Sequence, residues 1–238
     1  MTPRTAVDRL IAGAVAAFGD ALVSVVVHGS LAWGCWGPAS DIDVLMVVED
    51  DADMGTFHDV VVALDAEAPG NGYELSVLSR TAALQSRHPI EYSYHYSRAA
   101  LPGSERGGRD PDLAGHLKVA SAAGLCVYGL PTGQAFRRVT DDEFLDSVGS
   151  DVRESLRPLA DLTGEQVPVP VYAVLNAART LAWLSDRVVL SKRDGGLWLA
   201  DNRPELAGLA RTALDEYANP RGRTARVADL RRLASAVT

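Results

Sequence analysis

An α+β domain followed by an all-helical one is the fold class this sequence predicts, and three observations carry the prediction. Strand-sized apolar runs come first, at Ala21–Val27, Ile42–Val48, Tyr73–Leu78 and Leu125–Tyr128. From about Asp141 onward no segment reads as a strand, and apolar residues recur at helical spacing. Prolines at 168, 170, 204 and 220 punctuate those later helices. Strands first and helices later argue for a mixed sheet flanked by helices, then a helical bundle. The boundary is expected near residue 140, giving domains of 1–139 and 140–238.

Each element follows from local pattern. Ala6, Leu10, Ile11, Val15 and Phe18 recur at helical spacing, and Gly19 then stops the helix over 4–18. The β-branched run ending at Val27 reads as a buried strand, followed by a glycine-rich segment from Gly29 to Ser40. After the second strand a helix is expected over 54–67. The turn-forming pair Asn71-Gly72 introduces the third strand. A helix over 110–123 ends at Gly124 and leads into the short fourth strand. Helices are then expected over 141–161, 170–188, 203–217 and 222–236.

Composition narrows the function. The chain has 238 residues, 47% of them hydrophobic, enough to bury a real core. Its formal net charge is −8, and no basic stripe is evident. A nucleic-acid binder must neutralise phosphates, so that class is excluded; a cationic small molecule is the better-matched partner. Cys35 and Cys126 form no metal-ligand or disulfide spacing. Met1–Gly19 lacks the apolar run of a signal peptide, and no apolar run is long enough to span a membrane. A cytoplasmic monomer is expected.

The chemistry is concentrated between Val25 and Val44. Asp41 and Asp43 stand at i and i+2 at the start of a strand, so both carboxylates point to one face. They are separated by about 6.6 Å of strand, close enough for flexible carboxylates to converge on one or two hard cations. Ile42, Val44 and Met46 point the other way, into a core. Upstream, Gly29-Ser30 follows a strand and opens a helix. Such a turn exposes backbone N–H groups to an anion; glycine admits a phosphate close to the backbone, and the Ser30 hydroxyl can donate one more hydrogen bond. A phosphate cradle beside a metal-binding acid pair describes a nucleoside triphosphate held as its Mg²⁺ complex. Glu74 is a single charge in an apolar strand, on the opposite face from Tyr73, Leu75 and Val77. It reads as an exposed strand residue, a third metal ligand, or a general base.

This arrangement resembles the DNA polymerase β-like nucleotidyltransferase superfamily, whose signature is Gly-Ser followed by Asp-hydrophobic-Asp. Within it, Gly29-Ser30, Gly34, Pro38 and Ser40-Asp41-Ile42-Asp43 are similar to the aminoglycoside O-adenylyltransferases that act on streptomycin and spectinomycin. The similarity extends to Leu175, Arg179 and Ser191-Lys192 in the helical half. It implies a polymerase β-like domain plus a helical domain that closes the active-site cleft. It implies transfer of AMP from ATP to a hydroxyl of an aminocyclitol, with pyrophosphate released and two Mg²⁺ ions on Asp41 and Asp43. Glu74 matches the catalytic glutamate, which favours the general base. Gly29, Ser30, Arg179 and Lys192 would bind the nucleotide. Glu74, with Tyr94, His95 and Tyr96 from an aromatic-rich segment, would line the acceptor cleft. His28 is expected to be a structural histidine, and Trp33, Cys35 and Trp36 to pack the cradle.

One departure bears on the acceptor. Streptomycin-modifying members use a tryptophan after the third strand and an aspartate about ten residues before the helical arginine. Here Tyr94–Ser97 contains no tryptophan, and Val169 occupies the second position. A spectinomycin-type acceptor is therefore favoured over streptomycin. The competing readings are transfer to another hydroxylated metabolite, and an antitoxin-like protein-binding member of the superfamily.

Overall fold

The computed structural model describes residues 1–98 and 104–237, and the chain divides into two compact units, Met1–Phe144 and Leu145–Thr238. In the first unit, α1 (Pro3–Phe18) starts where the Thr2 hydroxyl accepts the Thr5 N–H, with Pro3 in the first turn, where a missing N–H costs nothing. It ends at Gly19, whose φ of 52° a β-carbon would resist. Six strands follow in one mixed sheet: β1 (Leu22–Val27), β2 (Ile42–Val48), β3 (Tyr73–Ser79), β4 (Ile90–Ser97), β5 (Ser104–Asp110) and β6 (Leu125–Gly129). Their spatial order is β5-β4-β3-β2-β1-β6. Only β2 and β3 pair in parallel; β1–β2, β1–β6, β3–β4 and β4–β5 are antiparallel. The parallel pair needs a crossover, which α3 (Phe57–Asp65) supplies. The short helices α2 (Gly29–Ala32), α4 (Arg80–Gln85) and α6 (Thr132–Ala135) and the longer α5 (Leu113–Ala123) complete this unit.

Both faces of the sheet are covered. Val25, Val27, Ile42, Val44, Met46, Leu75 and Val77 bury one face against α1 and α3. Val26, Leu45, Val47 and Leu78 bury the other with apolar residues of α4, α5 and α6. This two-sided burial is why β1 and β2 read as continuous apolar runs rather than as alternating ones. Strands β4 and β5 were not foreseen. In β4, Ile90, Tyr92, Tyr94 and Tyr96 alternate with polar residues, a strand pattern inside what reads only as an aromatic segment; β5 reads Ser-Glu-Arg-Gly-Gly-Arg-Asp, and its conformation comes from pairing with β4 at the sheet edge.

At the end of α3, buried Asp65 accepts hydrogen bonds from the Tyr73 N–H (2.7 Å), the Tyr96 hydroxyl (2.8 Å) and Arg98 Nε (2.7 Å). Three segments are thereby tied where β3 begins. The same crowding makes Gly72 (φ 82°) obligatory, because a β-carbon there would lie 2.2 Å from Asp65 Oδ1.

The second unit is built around α8 (Val171–Asp186), which is buried almost continuously from Ala173 to Trp183. A helix buried on nearly every side over three turns belongs at the centre of a bundle. Around it lie α7 (Asp141–Ala160), α9 (Lys192–Asn202), α10 (Ala207–Ala218) and α11 (Val227–Val237). Two sequence expectations are corrected here. Strands do occur after residue 141: β7 (Gln166–Pro168) and β8 (Thr224–Arg226) pair antiparallel. Three residues are too few to show alternation, so only the pairing identifies them. Helix α9 was unforeseen because Gly195-Gly196 interrupts its pattern. Both glycines lie where α9 meets its neighbours: a β-carbon at 195 would stand 2.7 Å from Arg179 Cγ, and one at 196 would stand 2.8 Å from Leu175 Cδ2. No described helix is long and apolar enough to cross a membrane.

Candidate active site

Strand register brings the acids together. Asp43 and Glu74 are direct partners across β2 and β3, so their side chains leave the sheet on one face. Asp41 precedes β2 by one residue. Carboxylate oxygens of Asp41, Asp43 and Glu74 all lie within 4.8 Å of one another. Three acids at this separation repel, and a hard cation that accepts several oxygen ligands relieves the repulsion.

The loop delivering Asp41 is held through its backbone groups by side chains and by the Asn71 turn. Trp36 Nε1 donates to the Asp41 carbonyl (3.1 Å), and the Ser40 hydroxyl, on a buried residue, accepts from the Gly37 N–H (3.1 Å). Asn71 donates its side-chain amide to the Ala39 carbonyl (2.7 Å) and its N–H to the Ser40 carbonyl (3.0 Å). The Asn71-Gly72 turn thus secures the metal-side loop as well as starting β3. Trp36 thus secures the loop that carries Asp41.

On the other side of Asp43 stands Gly29, at φ 61°. A β-carbon there would lie 1.8 Å from Asp43 Oδ2. Glycine is required so that the carboxylate can lie against the chain, a reason independent of any phosphate. The helix that Gly29 opens is a single turn, so its dipole is small and the exposed N–H groups matter more. The Ser30 hydroxyl is buried and has no hydrogen-bond partner among the described residues. A buried hydroxyl left unsatisfied is costly, and a ligand oxygen would satisfy it.

Burial pushes the Glu74 carboxyl up to about 7. The nearby His116 opposes that rise, while the charges of Asp43 and Asp41 and a hydrogen bond with Asp41 add to it. His116, on α5, was not singled out from sequence. Burial opposes its protonation, but Glu74, Asp43, Asp110 and Asp112 outweigh this and raise its pKa. Its ring meets that of His28 edge-on, centroids 5.2 Å apart. His28 is 3% exposed, donates its N–H to the Asp43 carbonyl (3.0 Å) and is held neutral, first by burial and then by His116. A signal for His116 exists: it interrupts the apolar face made by Leu113, Leu117 and Ala120.

The aromatic segment is divided by strand alternation. In β4, Tyr94 pairs with Val77 and Tyr96 with Leu75, on the face opposite Glu74. Both tyrosines are buried in the core, with Tyr94 near His58 Nδ1 (3.1 Å) and Tyr96 bonded to Asp65. The expectation that they line an acceptor site is corrected accordingly: a two-residue repeat sends them into the core. His95 shares the face of Glu74, with its Nδ1 2.9 Å from the Ser76 hydroxyl. In the second unit, Arg179 donates to Asn176 Oδ1 (3.4 Å), and Lys192 lies over the Tyr172 ring.

Comparisons with known proteins bear on both units. Residues 9–96 match the nucleotidyltransferase domain family, and residues 134–238 match the C-terminal domain of aminoglycoside adenylyltransferases. No curated protein sequence matches the chain. Among solved structures, it is similar to the spectinomycin adenyltransferase AAD(9) from Enterococcus faecialis, solved with ATP and spectinomycin. The TM-score is 0.80 at 13% identity, over 99% of both chains. A toxin–antitoxin structure with AMP-PNP aligns over 65% of this chain and 94% of its own, with 12% identity and a TM-score of 0.30.

Proposed function

Since the chain belongs to the aminoglycoside nucleotidyltransferase family, we propose that it moves AMP from ATP, as its Mg²⁺ complex, onto a hydroxyl of a cationic aminocyclitol, with a spectinomycin-type acceptor favoured over streptomycin. The observation that carries this reading is the cluster of Asp41, Asp43 and Glu74, within 4.8 Å of one another, beside the unsatisfied Ser30 hydroxyl. The donor set fits the metal: carboxylate oxygens suit a small hard dication. Asp41 and Asp43 would hold it, and when bound it would supply charge neutralisation at the phosphates.

In the reaction, the acceptor oxygen forms a bond to the α-phosphorus as the bond from that phosphorus to the bridging oxygen of pyrophosphate breaks. Glu74 receives the hydroxyl proton. Its raised pKa suits this role, because a base near 7 is a stronger proton acceptor than an ordinary carboxylate yet is substantially ionised at neutral pH. Gly29 and Ser30 would hold the triphosphate by backbone N–H groups and the serine hydroxyl. The roles assigned to Arg179 and Lys192 rest on the family resemblance; fixed cations stabilise charge that develops on departing pyrophosphate. The acidic balance of the chain favours an ammonium-bearing acceptor. His95, on the same face as Glu74, is the aromatic-segment residue retained as an acceptor contact.

The test is a panel of aminocyclitols and aminoglycosides incubated with enzyme, ATP and Mg²⁺, followed by mass spectrometry. A product heavier by one adenylyl group, with pyrophosphate formed in equal amount, is expected for spectinomycin. Modification of streptomycin alone would reverse the acceptor preference. No adduct on any panel member would redirect the search to other hydroxylated metabolites.

A further inference from the structure

We infer that Tyr172 is a positioning residue, one that holds the Lys192 ammonium in place for the phosphates of ATP; this rests on the reading of Lys192 given above. Tyr172 lies in the first turn of α8 and is 55% exposed, although the three residues after it are buried. Lys192 Nζ sits 4.5 Å from the centroid of its ring. That is well inside the range over which a ring face attracts a cation.

Position on the helix adds to this. Asn176 and Arg179 follow Tyr172 at i+4 and i+7, so all three share one face of α8. Arg179 Nη1 donates to Asn176 Oδ1 at 3.4 Å. Lys192 is the first residue of α9, whose start is fixed by the Ser191 hydroxyl accepting the Asp194 N–H at 3.0 Å. One turn later, Gly195 lets α9 close on Arg179. The glycine seam and the serine cap place the lysine backbone, and the ring restrains the flexible stem beyond it.

Only Lys118 and Lys192 among the 23 basic residues are lysines. A lysine ammonium is a compact charge on a flexible chain, so holding it costs conformational freedom. A ring face at this distance lowers that cost by restraining the ammonium.

Kinetics of Tyr172→Leu, Tyr172→Phe, Lys192→Ala and the Leu/Ala double variant test the inference. Tyr172→Phe should match the parent. Tyr172→Leu should lower kcat/KM for ATP about two- to fivefold, with the acceptor KM unchanged. In the Lys192→Ala background the same leucine should add nothing. A second readout is independent of turnover. With lysines reductively ¹³C-methylated, ring current from Tyr172 should move the Lys192 methyl resonance upfield, and Tyr172→Leu should remove that shift. If Tyr172→Leu acts on the acceptor KM, or acts equally without Lys192, the tyrosine contacts substrate itself and the inference fails. If Lys192→Ala weakens ATP while Tyr172→Leu is silent, the inference fails alone. If Lys192→Ala leaves ATP kinetics unchanged, the assigned role of Lys192 fails, and this inference with it.

Discussion

At the scale of single residues, the site turns on charge and on one missing β-carbon. Asp41→Asn removes a hard oxygen ligand and should reduce turnover by at least about a hundredfold while the fold, read by circular dichroism, stays intact. Glu74→Gln should keep ATP binding, measured by calorimetry, and lose transfer; loss of ATP binding with normal folding would make Glu74 a metal ligand instead. The acid limb of kcat/KM should lie above the ordinary glutamate range and no higher than about 7, since burial raises the carboxyl and a bound cation pulls it back. A limb at 4.5 would exclude Glu74 as the base. The same shift predicts a stability effect of definite sign. The folded pKa is above the unfolded one, so stability is fully present below about 4.5 and is lost as pH rises through about 7. In chelator at pH 8, Glu74→Gln should therefore melt higher than the parent. Asp41 and Asp43 were legible from sequence because alternation at the start of one strand puts them on one face; Glu74 stood out as a lone charge in an apolar strand, and only the β2–β3 register brings it to them. His116 was not, because its relation to Glu74 depends on where α5 crosses the sheet.

At the scale of elements, close approach decides what each segment can do. Gly29 is the clearest case: alanine there must adopt φ near 61° and place its β-carbon against the Asp43 carboxylate. Strain of about 1–3 kcal/mol is expected, together with a displaced Asp43. Gly29→Ala should thus lower both the unfolding midpoint and turnover; an active variant would mean that β1 and β2 can part freely. Tyr96→Phe tests the tie at the start of β3. It removes one hydrogen bond to buried Asp65 and should cost about 1 kcal/mol in denaturant unfolding, with transfer retained. Helix α9 shows why local pattern fails at such places. Gly195-Gly196 reads as a break, yet contact with Arg179 and Leu175 is what selects glycine there.

At the scale of the whole molecule, charge and pH set the working range. Hydrogen bonds from Arg137, the Thr140 N–H and the Thr140 hydroxyl hold the Glu143 carboxyl down to about 2. Its folded pKa is depressed, so its stabilising effect is present above about 4.5 and is lost as pH falls toward 2. Glu143→Gln should therefore melt lower than the parent at pH 7, and the difference should close in acid; a gap that persists at pH 2 would place the effect elsewhere. With a net charge of −8, attraction for a cationic acceptor should weaken as salt screens it, so the acceptor KM should rise with ionic strength. Chelation should stop turnover and lower the melting midpoint, because a cation bound only by the folded acids stabilises the fold; the fold itself should persist, because strand register places the three acids.

The sequence by itself determined the fold class, the order of strands before helices, and an acid pair downstream of a glycine-serine turn. Those follow from periodicity and turn chemistry, which act over a few residues. Only the tertiary structure decided that Glu74 joins the pair, that Tyr94 and Tyr96 turn into the core, that His116 faces the acids, and that β7 and β8 are strands at all. Each of those depends on which segments pack together, and packing over long sequence separations is selected by burial of the whole chain rather than by any local pattern.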